Sequence, residues 1–186
     1  MDPYLREACR FYLKFMNASV AFSSSELDPY FQFVNRVPAS SEEGFHYLWL
    51  LNAFARYQCF VLKDLDRAQS LTLQTLQSSK ILFLCSLESQ ASEKRILPLI
   101  LILNVARLSS YQGNKNRAQM QILALSDFFE NGNLDAVGPF PDEVIHFVHE
   151  WGVPILGSLR EDGKKYMREK IVDTLRRHGL QEMTFE

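Results

Sequence analysis

The sequence predicts an all-α fold, an irregular stack of antiparallel helical hairpins with seven to eight helices. Three observations carry this prediction. Apolar residues recur at helical spacing along most of the 186 residues, no segment alternates with the period of two typical of strands, and capping and turn residues interrupt the chain throughout. With 47% hydrophobic residues, a single domain over 1–186 is expected to enclose a core.

Residues 1–38 are predicted to hold two helices. Asp2 and Asp28 each precede a proline, and a capping side chain before a proline at the first helical position favours a helix start. The first helix is expected to run to about Val20. The second is expected to be short, because Pro38 disfavours helical backbone just before it.

Residues 40–130 are predicted to form two helical hairpins. Ser40 or Ser41 can cap a helix that continues to Phe60, and its partner is expected from Leu65 to about Leu87. Ser92 opens the first helix of the second hairpin, and Gly113 and Asn114 form its turn. The expected return helix runs over 116–129.

One apolar run, Ile96–Ala106, lies in the first helix of the second hairpin. Its 11 residues are fewer than the roughly 20 that a membrane span requires. We therefore expect no membrane span and a buried helix at the centre of the domain.

Residues 141–179 are predicted to form two C-terminal helices. A break at Gly152 and Pro154 is expected to separate them, since proline removes a helical hydrogen bond. The expected spans are Glu143–Trp151 and Leu159–His178. A glycine follows the second span, where a left-handed cap is favoured.

Charge and cysteine content bound the environment of the protein. The net charge of −2 gives no overall attraction to nucleic acid or anionic membranes. Cys9, Cys59 and Cys85 lie in apolar helical stretches and are predicted to be buried thiols. No secretory signal is visible at the N-terminus, so an intracellular location, cytoplasm or nucleus, is expected.

A short motif recurs about 50 residues apart. Leu65–Gln69 matches Lys115–Gln119 at Arg-Ala-Gln, and an Ala-Arg pair precedes each copy, at Arg56 and Arg107. Gly113, followed five residues later by an alanine and then by apolar positions, resembles tetratricopeptide-type repeats. The first copy departs from that pattern with Lys63, Thr72 and Thr75 in place of the expected residues, and the spacing exceeds the family's roughly 34 residues. Over residues 45–129, the resemblance implies an α-solenoid-like hairpin stack that binds other proteins.

The leading interpretation of function is a non-catalytic protein–protein interaction module, a subunit, scaffold or adaptor of an intracellular complex. In a hairpin stack the first helices line one face, so Arg56 and Arg107 are expected to point to the same side and favour an acidic peptide. Arg67 and Arg117, at the matched helix starts, are further candidates to bind a carboxylate. A second chain is also expected to cover surplus aromatic residues, including Trp49, which makes a homodimer an alternative partner.

Two other classes of function remain as alternatives. Residues 160–177 carry seven basic and four acidic residues, so the last helix can dock an acidic partner or, in a nucleic-acid-associated factor, a phosphate backbone. Its candidate cations are Lys164, Lys165, Arg168, Arg176 and Arg177. A metal-dependent enzyme is the second alternative, since His146 and His149 are three residues apart on one helix.

Sequence motifs for catalysis are missing. The chain has no phosphate-binding glycine loop, no Gly-x-Ser-x-Gly elbow and no His-Glu-x-x-His signature. The protein is therefore not expected to be an enzyme, and no cofactor or metal is expected.

Overall fold

The computed structural model describes residues 2–36, 38, 40–80 and 92–180. These residues form eight α-helices and no strand, so the predicted all-α helical stack is confirmed. The chain divides into two compact units, 1–87 and 88–186. The boundary falls between the two predicted hairpins. That residues 1–186 form one domain stays a prediction, and each unit is described by itself.

The described residues of the first unit form four α-helices and one π-helical turn. Its core is an aromatic cluster in which Phe15 contacts Tyr30, Phe54 and Tyr57, with ring centroids 4.8–5.4 Å apart. Such ring pairs add stability beyond the area that they bury. In chain order the elements are α1 (Pro3–Met16), α2 (Ser24–Val34), α3 (Ser41–Tyr57), a π-helical turn (Gln58–Leu62) and α4 (Leu65–Ser79).

The boundaries of α1 and α2 differ from the expected ones. Asp2 caps α1 as predicted, accepting a hydrogen bond from the Tyr4 backbone N–H at 2.7 Å, but the helix ends at Met16 instead of near Val20. The start of α2 at Asp28 was wrong, because Ser23 and Glu26 form a capping box one turn earlier. The proline that follows Asp28 lies inside α2.

Residues 92–180, the described part of the second unit, also form four α-helices. Their bounds are α5 (Ser92–Tyr111), α6 (Lys115–Asn131), α7 (Asp142–Ser158) and α8 (Glu161–Arg177), and a 3₁₀ turn occupies Leu134–Val137. α5 is buried on nearly every side, as expected for the apolar run Ile96–Ala106. Gly179 has the predicted left-handed backbone, with φ +61°. The predicted extension of α4 to Leu87 lies outside the described residues.

The break predicted at Gly152 and Pro154 is wrong, because α7 continues through both residues. A Cβ on Gly152 would lie 2.9 Å from side-chain atoms of both Leu134 and Phe128. Glycine is therefore needed for close approach to α6 and the 3₁₀ turn. Pro154 is exposed, so its missing N–H affects the solvent side of the helix.

Candidate functional site

The two hairpin turns share their capping geometry. Lys63 and Gly113 occupy left-handed backbone, with φ 59° and 85°. The next residue in each turn caps the following helix: Asp64 accepts from the Arg67 backbone N–H at 2.9 Å, and Asn114 accepts from that of Arg117 at 3.1 Å. The same local chemistry therefore starts α4 and α6.

The two turns differ by one residue. The Asp64 backbone N–H donates to the carbonyl of Gln58, six positions back, whereas that of Asn114 donates to Ser109, five positions back, both at 3.0 Å. The first hairpin accommodates its extra residue in the π-helical turn, whose hydrogen bonds span one residue more than those of an α-helix. π-Turns are frequent at functional sites.

The π-helical turn exposes apolar side chains beside cations. Phe60 and Leu62 are each 39% exposed, and the Arg56 guanidinium lies 5.0 Å from the centroid of the Phe60 ring. Lys63 and Arg67 are also exposed. We call this surface the first-hairpin end and define it by Arg56, Phe60, Leu62, Lys63 and Arg67.

Cys59 lies beneath the first-hairpin end and is buried. Burial raises the pKa of its thiol, against the opposing charges of Lys63 and Arg56. A buried thiol that stays protonated is a poor nucleophile. Cys9, in contrast, is exposed, so its predicted burial was wrong: it lies on the solvent side of α1. Cys85 lies outside the described residues.

Arg107 does not present a cation to solvent as Arg56 does. Its Nε and Nη2 atoms donate to Thr174 Oγ1 at 3.0 and 2.7 Å, and Nη1 donates to Asn104 Oδ1 at 2.9 Å. Burial lowers the pKa of the guanidinium. The two arginines also lie in different units, so a shared binding face stays a prediction.

Sequence patterns missed a polar cluster beside Arg107. His178 Nδ1 lies 2.9 Å from Ser110 Oγ, and the His178 ring meets the Tyr111 ring edge-on at 4.8 Å between centroids. Burial lowers the pKa of His178, and the positive charges of Arg107, Arg177 and Lys115 lower it further. No sequence spacing joins these residues, because they come from three different helices.

The aromatic residues predicted to need a second chain are mostly buried within this one. Tyr30, Phe33 and Phe45 are at most 9% exposed, because helices of the chain itself cover them. Trp49 is half-buried and meets Phe45 edge-on, with centroids 6.1 Å apart. Phe31 remains 44% exposed. The aromatic surplus therefore gives little support to a homodimer.

Cations of the last helix are largely engaged with acidic residues. Arg168 donates to both carboxylate oxygens of Glu130 at 2.7 and 2.8 Å, which raises the pKa of Arg168 and joins α8 to α6. Lys164 pairs with Glu161 at 3.0 Å. Arg177 pairs with Asp173 at 2.8 Å. Lys165 and Arg176 lie on the exposed surface of α8.

His146 and His149 are both exposed on α7. His149 Nε2 lies 3.9 Å from Asp135 Oδ1. Within the described part of the chain, no group of three or more histidine, cysteine, aspartate or glutamate residues is arranged to hold a metal ion.

Comparison with known proteins gives no family. The chain matches no family model, and neither a curated protein nor a solved structure is similar to it. The resemblance to tetratricopeptide-type repeats therefore stays a prediction. Among the described residues, no helix is both long enough and apolar enough to cross a membrane.

Proposed function

We propose that the chain is a non-catalytic protein–protein interaction module, a subunit or adaptor, that binds an acidic segment of a partner protein at the first-hairpin end. The observation that carries this proposal is the joint exposure of Phe60 and Leu62 beside Arg56. Arginine and aromatic residues dominate the energetics of protein interfaces.

Charge favours an acidic partner. Arg56, Lys63 and Arg67 contribute three cations, and Asp64, whose carboxylate caps α4, contributes one negative charge. Asp66 adds one further acidic residue. A partner carboxylate desolvated against one of these cations contributes about 1.5–3 kcal/mol.

The first-hairpin end is also held in place before binding. The cap at Asp64 fixes the start of α4, and the arginine–ring contact at 5.0 Å restrains both Arg56 and Phe60. Side chains already restrained lose less entropy on binding. Because the surface is small, we expect it to take a short segment that places an apolar side chain between acidic ones.

The two alternative functions have less support. Three cations of the last helix, Lys164, Arg168 and Arg177, are engaged with carboxylates, which reduces the charge available to a phosphate backbone. For the metal-dependent enzyme, His149 Nε2 lies 3.9 Å from Asp135 Oδ1, but among the described residues no third histidine, cysteine, aspartate or glutamate joins them in a group that could hold a metal ion.

Charge reversal at matched positions tests the proposal. Arg67 and Arg117 are both exposed and both donate their backbone N–H to a capping side chain, so Arg117→Glu is the control for Arg67→Glu. The probe is a labelled peptide in which leucines alternate with glutamates, with a glutamine version as a second control. We expect Arg67→Glu and Arg56→Glu each to weaken binding, measured by fluorescence anisotropy, by tenfold or more.

The control variant Arg117→Glu is expected to bind within twofold of the unchanged protein. Equal loss in Arg117→Glu and Arg67→Glu, or unchanged binding in Arg56→Glu, contradicts the proposed surface. Sedimentation of the protein without peptide separates the homodimer alternative: a concentration-dependent dimer disrupted by Arg56→Glu would assign this surface to a second copy of the chain.

A further inference from the structure

A cluster of cations lies where three helices of the second unit meet. Ser110 comes from the last turn of α5, Lys115 begins α6, and Arg177 and His178 end α8. The charges of Lys115, Arg177 and Arg107 all act on the His178 ring. We call this group the basic cluster and define it by Arg107, Ser110, Lys115, Arg177 and His178.

Arg107 makes the basic cluster unusual. Among the described residues, its hydrogen bonds go to neutral acceptors, Thr174 and Asn104. Those bonds use three of the five N–H groups of a guanidinium, which leaves two for another acceptor. A half-buried cation whose hydrogen bonds go to neutral groups has lost part of its hydration, and an anion beside it would offset that cost.

Nearby carboxylate charge does not balance the cluster. Among the described residues, Asp173 is the carboxylate whose charge favours protonated Arg107, and its Oδ1 accepts from Arg177 Nε at 2.8 Å. The described charged groups that act on Arg107 and His178 therefore comprise three permanent cations, Arg107, Lys115 and Arg177, and one carboxylate. The helix dipole accounts for cations in the last turn of α8, but it does not account for the half-buried Arg107 of α5.

We propose that the basic cluster binds a tetrahedral oxyanion of the phosphate class, either free phosphate or a phosphorylated side chain. The two remaining N–H groups of Arg107 and the exposed ends of Lys115 and Arg177 supply the donors. Ser110 and His178 contribute a hydroxyl and an imidazole. This site shares no residue with the first-hairpin end, so its test does not depend on the proposed function.

Titration calorimetry at constant ionic strength tests the site. Inorganic phosphate is the first probe, and a neutral peptide with one phosphoserine is the second. We expect one anion bound per chain and a loss of affinity of at least tenfold in the Lys115→Gln, Arg177→Gln double variant. Lys165→Gln, which removes an exposed cation from the same helix α8, is the control and is expected to bind within twofold.

The two probes distinguish the source of the anion. Phosphopeptide binding at least tenfold tighter than phosphate, and absent for the unphosphorylated peptide, assigns the site to a phosphorylated partner, whereas similar affinities assign it to a free anion. Either result supports the proposal. If the double variant melts early, the single variants Lys115→Gln and Arg177→Gln each replace it, with an expected loss of at least threefold.

Nuclear magnetic resonance of His178 gives a second readout. Bound anion is expected to raise the pKa of His178, because negative charge beside the ring favours its protonated form. The site is overturned if phosphate moves neither this pKa nor the heat of titration, or if Lys165→Gln loses as much affinity as the double variant.

Discussion

The two hairpins share short motifs on either side of their turns, yet the arginines of the matched Ala-Arg pairs have opposite environments. Arg56 is exposed and lies over the ring of Phe60, whereas Arg107 is half-buried and donates to Thr174 on α8. The difference arises because α8 packs against α5 and supplies a hydroxyl at the position of the guanidinium. An arginine in a repeated motif is thus a surface group or a structural group according to which helix covers it.

The turns themselves diverge in a second way. The first hairpin places Lys63 in left-handed backbone and inserts a π-helical turn, while the second uses Gly113 with one residue fewer. Lysine tolerates this conformation less well than glycine does. The first turn therefore holds a lysine in strained backbone and exposes Phe60 and Leu62. In the second turn, glycine adopts left-handed backbone without that strain.

The largest expected effect is a difference in the free energy of unfolding between variants of Arg107 and Arg56. Arg107→Ala removes three hydrogen bonds from a charged donor and is expected to lower the free energy of unfolding by about 2 kcal/mol. Arg56→Ala removes an exposed cation–ring contact and is expected to cost less than about 1 kcal/mol. Urea unfolding of both variants measures the difference, and equal losses would falsify the structural role of Arg107.

Exchanging the glycine and lysine at the left-handed positions of the two turns is expected to change the free energy of unfolding by a smaller amount. Gly113→Lys places a side chain where φ is 85° and should destabilise the protein by about 1 kcal/mol. Lys63→Gly relieves the same strain and should stabilise it by a similar amount. The comparison fails if both exchanges change the free energy of unfolding in the same direction. Neither variant alters the capping side chains, so the shift reports on the backbone.

The smallest expected effect is a pH dependence of stability that arises at His178, in the second unit. The folded state lowers the pKa of His178 from its ordinary value of 6.5, so below that value the unfolded chain takes up a proton more readily than the folded one. The stability linked to His178 is therefore fully present above the unfolded pKa and is lost as pH falls through the folded pKa.

Melting temperatures measured between pH 5 and 8, roughly the range in which histidine titrates, check this dependence in phosphate-free buffer. We expect His178→Gln to flatten the decline toward low pH. His146→Gln, at an exposed histidine of α7, is the control for loss of a histidine as such. A decline that persists unchanged in His178→Gln removes His178 as its cause.

Much of the secondary structure follows from local chemistry that the sequence displays. The caps at Asp2, Ser40 and Asp64, and the left-handed Gly113 and Gly179, act through atoms within a few residues of each other. Such interactions can be predicted without tertiary information. The sequence also predicts the buried helix that starts at Ser92, because a helix with hydrophobic residues on every side must be covered by other elements.

Only the tertiary structure determines the environment and the hydrogen-bond partners of Gly152, Arg107, Ser110 and His178. The sequence predicts that Gly152 ends a helix. In the structure Gly152 lies within α7, where its missing side chain allows Phe128 and Leu134 to pack against the helix backbone. The repeated Ala-Arg motif predicts that Arg107 is a surface cation, but its guanidinium donates a hydrogen bond to Thr174, 67 positions away. His178 and Ser110 are separated by 68 positions and are 2.9 Å apart between their polar atoms. Capping and periodicity depend on near neighbours in the chain, whereas burial and charge depend on which distant helix packs alongside.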